Sequence, residues 1–236
     1  MVKERDASLD NERDTGRLEA FSDGVIAVAI TLLILDIHVP ALGKLSLLEV
    51  MLKDGIHYLG YVISFTIIGL FWANHHYMFK YIHQTDHFLL SLNTLALMCL
   101  VFIPFTTSLL VTHFDDGYAK QAAMVYSASL LLTSILYNIV WWYASSHRYL
   151  LASGLTSQVI QQMTKRYFVS IPLYSITLLV SDFNVKASLV LYIAIALLYA
   201  LPANLFPFGK KRPSHPPETT KEKGEGNNKD EGNNND

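Results

Sequence analysis

Two long stretches without a charged side chain constrain this chain more than any other feature. They run from Phe88 to Val111 and from Gln121 to Ser146. Each is longer than the roughly 20 residues that an α-helix needs to cross a hydrocarbon core about 30 Å thick. A water-soluble helix of that length would carry a polar face. The sequence therefore predicts a membrane protein whose spans are α-helices.

The overall composition supports the membrane class. Hydrophobic residues make up 51% of the chain and charged residues only 16%, whereas soluble domains average about 25% charged residues. Cys99 is the single cysteine and lies in an apolar stretch, so neither a disulfide framework nor a thiolate metal cluster is expected. The first 19 residues mix acids with bases, unlike a cleaved signal peptide, and we expect the first span to be retained.

The hydropathy pattern predicts an all-α membrane protein with six transmembrane helices. The predicted spans are residues 18–39, 56–79, 88–112, 121–144, 167–183 and 187–208. The fifth is short and contains Pro172, so a re-entrant or interfacial helix is its alternative. Residues 1–17 form a predicted N-terminal segment. Residues 209–236 are rich in Pro, Gly, Asn, Lys and Glu, which predicts a disordered tail.

The distribution of Lys and Arg predicts the orientation of the chain. With six spans both termini lie on one side, and that side collects eleven basic residues: Lys3, Arg5, Arg13, Arg17, Lys80, Arg148, Lys165, Arg166, Lys210, Lys211 and Arg212. The opposite side has four, namely Lys44, Lys53, Lys120 and Lys186. Both termini are therefore expected to face the cytoplasm.

Several polar side chains lie at one depth, where the first span begins, the second ends and the third begins. They are Arg17, Ser22, Asp23, Asn74, His75, His76 and Asn93. Ionisable groups inside a membrane are costly and usually face the protein interior or water. We predict a hydrogen-bonded network in which Asp23 accepts from a histidine ring, from Asn93 or from Arg17. The alternative is that these groups are hydrated at the interface without specific partners.

The same residues could suggest a hydrolytic triad or a metal site, but their spacing argues against both. Ser22 and Asp23 diverge by about 100° on a helix, which is poor geometry for a triad with His75, and the chain has no G-x-S-x-G motif. His75 and His76 likewise point apart, and no H-E-x-x-H pattern accompanies them. The sequence predicts neither an enzyme nor a metal site.

The same residues resemble a known family. Arg17 followed by Phe21-Ser22-Asp23-Gly24, the segment 71–76 that ends in two histidines, and Asn93 with Pro104-Phe105-Thr106 are similar to the transmembrane protein 175 family. This family comprises the endosomal and lysosomal potassium channel and its bacterial relatives. The resemblance is specific over the first 110 residues and extends to the rest only as a hydropathy pattern.

The resemblance implies a potassium-permeable cation channel without a cofactor. It implies a homotetramer in a bacterial plasma membrane, with the first helix lining a central pore that narrows at apolar side chains. Its partners would be lipid and monovalent cations, with no nucleic acid. The implied pore positions are Val28, Thr31, Leu32 and Leu35, which form one helical stripe. Periodicity alone equally allows a stripe of Ile26, Ile30, Leu33 and Ile37.

Family members commonly carry Ile or Leu at the position of Val28, which implies a wider innermost ring in this chain.

Two other functions compete with a channel. One is a proton- or ion-coupled secondary transporter that uses Asp23 with His75 and His76. The other is a non-conducting membrane scaffold.

Overall fold

The computed structural model describes residues 2–37 and 46–200, and the regular elements in these ranges are helices. They are α1 (Val2–Leu32), α2 (Leu47–Lys53), α3 (Gly55–Phe79), α4 (His87–Val101), α5 (Ile103–Thr112), α6 (Ala119–Ser146), α7 (Ser157–Phe168), α8 (Ser170–Phe183) and α9 (Val185–Ala200). Short 3-10 helices follow α1 at Leu33–Asp36 and α6 at Arg148–Leu150. The predicted all-α class is confirmed.

Four apolar helical segments of the described residues are long enough to cross a membrane. They are Thr15–Asp36, Gly55–Phe79, His87–Thr112 and Ala119–Ser146, so the first four predicted spans are confirmed as helices of membrane length. The first differs in its bounds. Its α-helix begins at Val2, so residues 2–17 continue directly into the span, and it ends at Leu32 before the 3-10 helix. The predicted end at residue 39 lies outside the described residues.

The fifth and sixth predicted spans correspond to shorter helices. The range predicted as the fifth is divided, because α7 ends at Phe168 and α8 begins at Ser170. Pro172 has no N–H to donate to the carbonyl of Phe168, which accounts for the break. Helix α8 has 14 residues and α9 has 16 within the described range, fewer than the roughly 20 of a full span. Residues 201–208 and the predicted tail lie outside that range.

A second proline divides the third span. Helix α4 ends at Val101 and α5 begins at Ile103, because Pro104 cannot donate a hydrogen bond to the carbonyl of Leu100. At the other end of this span, Asp86 caps α4 by accepting from the backbone N–H of Leu89 at 2.7 Å. The span therefore has a fixed start and an interruption near its middle.

Helix α6 occupies the centre of the helix bundle. It packs against α4, α5 and α8 and buries Leu130, Val140 and Trp141 completely or nearly so. Helix α1 packs on the outside of this group, against α3 and α4. Among the described residues, the first helix therefore packs against other helices along one side only.

Two loops meet at the end of the bundle where α3 ends and α4 begins. Ile82 and Leu151 form an antiparallel bridge. The N–H of His83 donates to Leu150 O at 2.8 Å, and the N–H of Ala152 donates to Tyr81 O at 2.9 Å. The α3–α4 and α6–α7 connections therefore lie on the same side, which is the side that the basic residues predict to be cytoplasmic.

Candidate functional site

The two sides of α1 have opposite environments. Ile26 and Ala29 are fully buried and Leu33 is 1% exposed, and all three belong to the main hydrophobic core. Val28 is 56% exposed, Leu32 40% and Leu35 67%. The described part of the chain thus covers one stripe of α1 and leaves the other uncovered.

This asymmetry separates the two stripes that periodicity could not distinguish. In the alternative stripe, Ile26 and Leu33 face the hydrophobic core of the helix bundle. In the stripe implied by the family resemblance, Thr31 is exposed beside Leu32 and Leu35. The hydroxyl of Thr31 donates to the carbonyl of Val28 at 2.9 Å. Because that bond uses the hydroxyl proton, the oxygen lone pairs of Thr31 remain available to a cation.

A buried hydrogen-bond chain joins α1, α4 and α3 at the depth predicted from the sequence. The amide of Asn93 donates to Ser22 Oγ at 2.9 Å, and Ser22 Oγ donates in turn to the carbonyl of Leu18 at 2.8 Å. On its other side, Asn93 Oδ1 lies 2.9 Å from His75 Nε2, which donates because the amide oxygen can only accept. Ser22, His75 and Asn93 are each at most 1% exposed.

A second, half-buried cluster lies beside this chain and joins α1 to α3 alone. Trp72 Nε1 donates to Asp23 Oδ1 at 2.9 Å, and His76 Nδ1 lies 2.8 Å from Glu19 Oε1. The rings of Trp72 and His76 are stacked, with centroids 5.9 Å apart and planes at 19°. The two histidines therefore serve different clusters, as expected for adjacent residues on a helix.

The structure assigns partners that the sequence did not. The sequence predicts that Asp23 accepts from a histidine, from Asn93 or from Arg17, and in the structure one of its two carboxylate oxygens accepts from Trp72. Glu19 was not among the predicted site residues, yet it pairs with His76. Helical spacing could have found both, because Glu19 lies four residues before Asp23 and Trp72 four residues before His76.

The remaining predicted network residues lie close by. Arg17 lies on the exposed side of α1. Asn74 contributes its backbone carbonyl, which accepts from the hydroxyl of Tyr167 on α7 at 3.2 Å. The hydroxyl of Ser22 donates to Leu18 O rather than to an imidazole, so its geometry is that of a structural serine and not of an activated nucleophile.

The loop before α4 is fixed by Asp86. Its carboxylate accepts from the hydroxyl of Tyr143 at 2.8 Å and from that of Tyr149 at 2.6 Å, in addition to capping α4. Partial burial acts to raise the pKa of Asp86, but the hydrogen bonds from Leu89 N–H and the two tyrosines outweigh it and lower the pKa below its usual value. The same carboxylate raises the pKa of Tyr149. The hydrogen bonds of Asp86 hold α4, and with it Asn93, against α6.

Long apolar helices, a first helix packed on one side only and a buried polar layer at its base define an integral α-helical membrane protein with several spans. Comparison with known proteins gives the family. The sequence model of a protein family, described as endosomal/lysosomal potassium channel TMEM175, matches residues 17–104. This segment contains the exposed stripe and both polar clusters. A potassium channel of Chamaesiphon minutus is 36% identical over 196 residues, covering 82% of this chain and 97% of that protein. The chain belongs to the TMEM175 family.

Two further comparisons agree. A potassium channel of Streptomyces collinus is 42% identical over 132 residues, which is 55% of this chain and 64% of that protein. A crystal structure of a lysosomal potassium-selective channel TMEM175 homologue from Chamaesiphon minutus matches with a TM-score of 0.73 and 34% identity, covering 80% of this chain and 97% of that one. The fold and the family are thus supported by sequence and by structure.

Proposed function

We propose that this protein is a potassium channel that conducts passively across the membrane. Its full-length relative from Chamaesiphon minutus is a potassium channel, and the structural neighbour is described as potassium-selective. The family model matches the segment that carries the exposed stripe of α1. The proposal places the conduction path along that stripe.

The observation that carries this placement is the one-sided packing of α1. Val28, Leu32 and Leu35 are large apolar side chains left 40–67% exposed, while the opposite stripe is buried. If four copies assemble around an axis with α1 innermost, this stripe lines the axis. The homotetramer is part of the proposal, because a single chain supplies only one wall of a pore.

The chemistry of the stripe suits a cation path. Three of its members are apolar and form rings at which a pore can gate by dewetting. Thr31 contributes one hydroxyl per subunit, and its donation to Val28 O leaves the oxygen free to replace part of an ion's hydration shell. In a tetramer, four such oxygens would form the polar ring between the apolar ones.

The proposed topology has six spans, with α8 and α9 as the last two and both termini in the cytoplasm of a bacterial cell. The bridge between Ile82 and Leu151 supports it, because the α3–α4 and α6–α7 connections must share a side of the membrane. That side carries Lys80 and Arg148, in agreement with the positive-inside rule.

A coupled transporter of the kind built on broken helices fits the structure less well. Such transporters usually interrupt their helices at the substrate site. Helix α1 is continuous from Val2 to Leu32, and α3 from Gly55 to Phe79. Asp23 and His76 are also held in separate hydrogen bonds between α1 and α3, and His75 is held by Asn93 of α4.

The test is a reversal-potential measurement on purified protein in planar bilayers, with potassium on one side and sodium on the other. We expect a current that needs no coupled ion and a reversal potential displaced toward that of potassium. Protein-free bilayers from the same lipid are the control. Uptake that saturates and depends strictly on a proton or sodium gradient would instead establish a transporter, and the absence of any current would support a scaffold.

A further inference from the structure

The half-buried cluster between α1 and α3 contains three side chains that could together bind a metal ion. His76 supplies an imidazole nitrogen, and Glu19 and Asp23 supply carboxylate oxygens. One such atom from each residue lies within 4.8 Å of the other two. Imidazole combined with carboxylates is a donor set for a divalent transition metal such as Zn²⁺ rather than for Mg²⁺ or Ca²⁺, which prefer oxygen alone.

We propose that Glu19, Asp23 and His76 bind one Zn²⁺-type divalent ion that bridges α1 and α3. Glu19 and Asp23 are four residues apart on α1 and therefore face the same way. His76 meets them from α3, with its Nδ1 already 2.8 Å from Glu19 Oε1. Bonds of about 2.0–2.1 Å to a tetrahedral ion place ligand atoms about 3.4 Å apart, so the three groups need only small side-chain movements.

The groups around the cluster orient two of the three ligands. Trp72 Nε1 donates to Asp23 Oδ1, which holds that carboxylate and leaves its second oxygen for the metal. The stacked ring of Trp72 also fixes the plane of His76. Hydrogen-bonded carboxylates and oriented imidazoles are the usual surroundings of a metal ligand.

The site is open on one side within the described part of the chain. The side chain of His76 is 41% exposed and that of Glu19 is 27% exposed, so a fourth ligand can complete the coordination from that side. In the bound state His76 Nδ1 presents its lone pair and the ring proton lies on Nε2. The direct bond between His76 and Glu19 is replaced by two bonds to the ion. The proposal is independent of which ion the channel conducts.

Trp72 provides a readout that does not involve ion flux. Full-length protein, purified in detergent and freed of metal with a chelator, is titrated with Zn²⁺ while tryptophan fluorescence and thermal stability are recorded. We expect saturation at one ion per chain, a fluorescence change and a rise in unfolding temperature, because an ion that binds only the folded state stabilises it. Trp72→Phe should lose the fluorescence change and, because it also loses the hydrogen bond that orients Asp23, should show a smaller thermal shift.

The ligand variants His76→Gln and Glu19→Gln should each weaken Zn²⁺ binding by at least about tenfold. His57→Gln is the matched control, because His57 lies on the same helix and also pairs with a single carboxylate, Asp54, at 2.7 Å. It should bind Zn²⁺ like the wild type. Two variants from different helices keep the test decisive if one of them fails to fold.

Equal affinity in the wild type, His76→Gln and Glu19→Gln would overturn the proposal. So would a loss in His57→Gln as large as that in His76→Gln, or a fluorescence change that persists in Trp72→Phe. Each of these results would place any bound ion elsewhere on the protein.

Discussion

Trp72 donates its indole N–H to the carboxylate of Asp23 across the contact between α3 and α1, at 2.9 Å. Asp23, the acidic residue of the Phe21-Ser22-Asp23-Gly24 motif, therefore bonds to a neighbouring helix of the same chain. The uncovered stripe that begins at Val28 lies further along the same helix. The motif attaches α1 to α3 and α4. The apolar residues that follow it are the candidates for contact with ions.

We expect Asp23→Asn and Trp72→Phe to destabilise the protein by about 1–3 kcal/mol each, because either change removes or weakens a hydrogen bond to a charged group. The effects should not add in the double variant, with a coupling of roughly 0.5–3 kcal/mol. Thermal unfolding of the detergent-solubilised assembly measures both quantities. If Asp23→Asn alters the reversal potential at full stability, Asp23 lies in the ion path and the attachment role is wrong.

Asn93→Leu should be costly because Asn93 serves two buried partners at once. The change leaves His75 Nε2–H without its acceptor, and Ser22 loses a donor. We expect a loss of about 1–3 kcal/mol or more. Thr94→Ala is the control, since Thr94 is exposed and its hydroxyl donates to Leu90 O of its own helix. A loss in Thr94→Ala equal to that in Asn93→Leu would show that the effect belongs to the helix and not to the buried chain.

Gly60 marks a close approach of α3 to α5. A Cβ at this position would collide with the side chain of Val111, whereas a Cβ at Gly69 on the same helix would meet nothing within 4 Å. Gly60→Ala should therefore lower stability by about 1–3 kcal/mol through overpacking, and Gly69→Ala should leave it unchanged or slightly higher. Equal unfolding temperatures for the two variants would mean that the α3–α5 contact can relax without cost.

Removal of apolar bulk from the exposed stripe should raise conduction. We expect Leu35→Ala and Val28→Ala to increase single-channel conductance or potassium flux into liposomes, because a wider and less apolar constriction dewets less readily. Leu179→Ala is the control, as Leu179 on α8 is 64% exposed and lies outside the proposed path. Unchanged flux in both stripe variants would place the path on another face.

Asp86 makes stability depend on pH in the acid range. The pKa of Asp86 is lowered in the folded state, so its stabilising contribution is fully present above the unfolded value of about 3.9. It is lost as the pH falls through the folded pKa. Unfolding temperatures measured from neutral pH to about pH 3 should fall for the wild type. Asp86→Asn should be less stable at neutral pH and show a weaker decline, and parallel curves would refute this role.

Much of the architecture could be predicted from the sequence. The uncharged stretches from Phe88 to Val111 and from Gln121 to Ser146 became parts of membrane-length helices, because length and apolarity suffice for that conclusion. The depth of the polar layer was also predictable from the alternation of helices. The region of the fifth and sixth predicted spans was harder to predict, because Pro172 divides a polar helix from a short apolar one, and hydropathy does not register a break in backbone hydrogen bonding.

The sequence by itself determined the class of protein, the family motif and the set of polar residues that share one level. The tertiary structure decided which of them meet, namely Asn93 with Ser22 and His75. It also added two partners from outside that set, Trp72 for Asp23 and Glu19 for His76. It also decided which stripe of α1 is buried. Helix α1 is apolar on nearly all sides within the span, so its periodicity does not define an inward face. Hydrogen bonds depend on rotation and depth to within an ångström, and only the packing of neighbouring helices fixes those quantities.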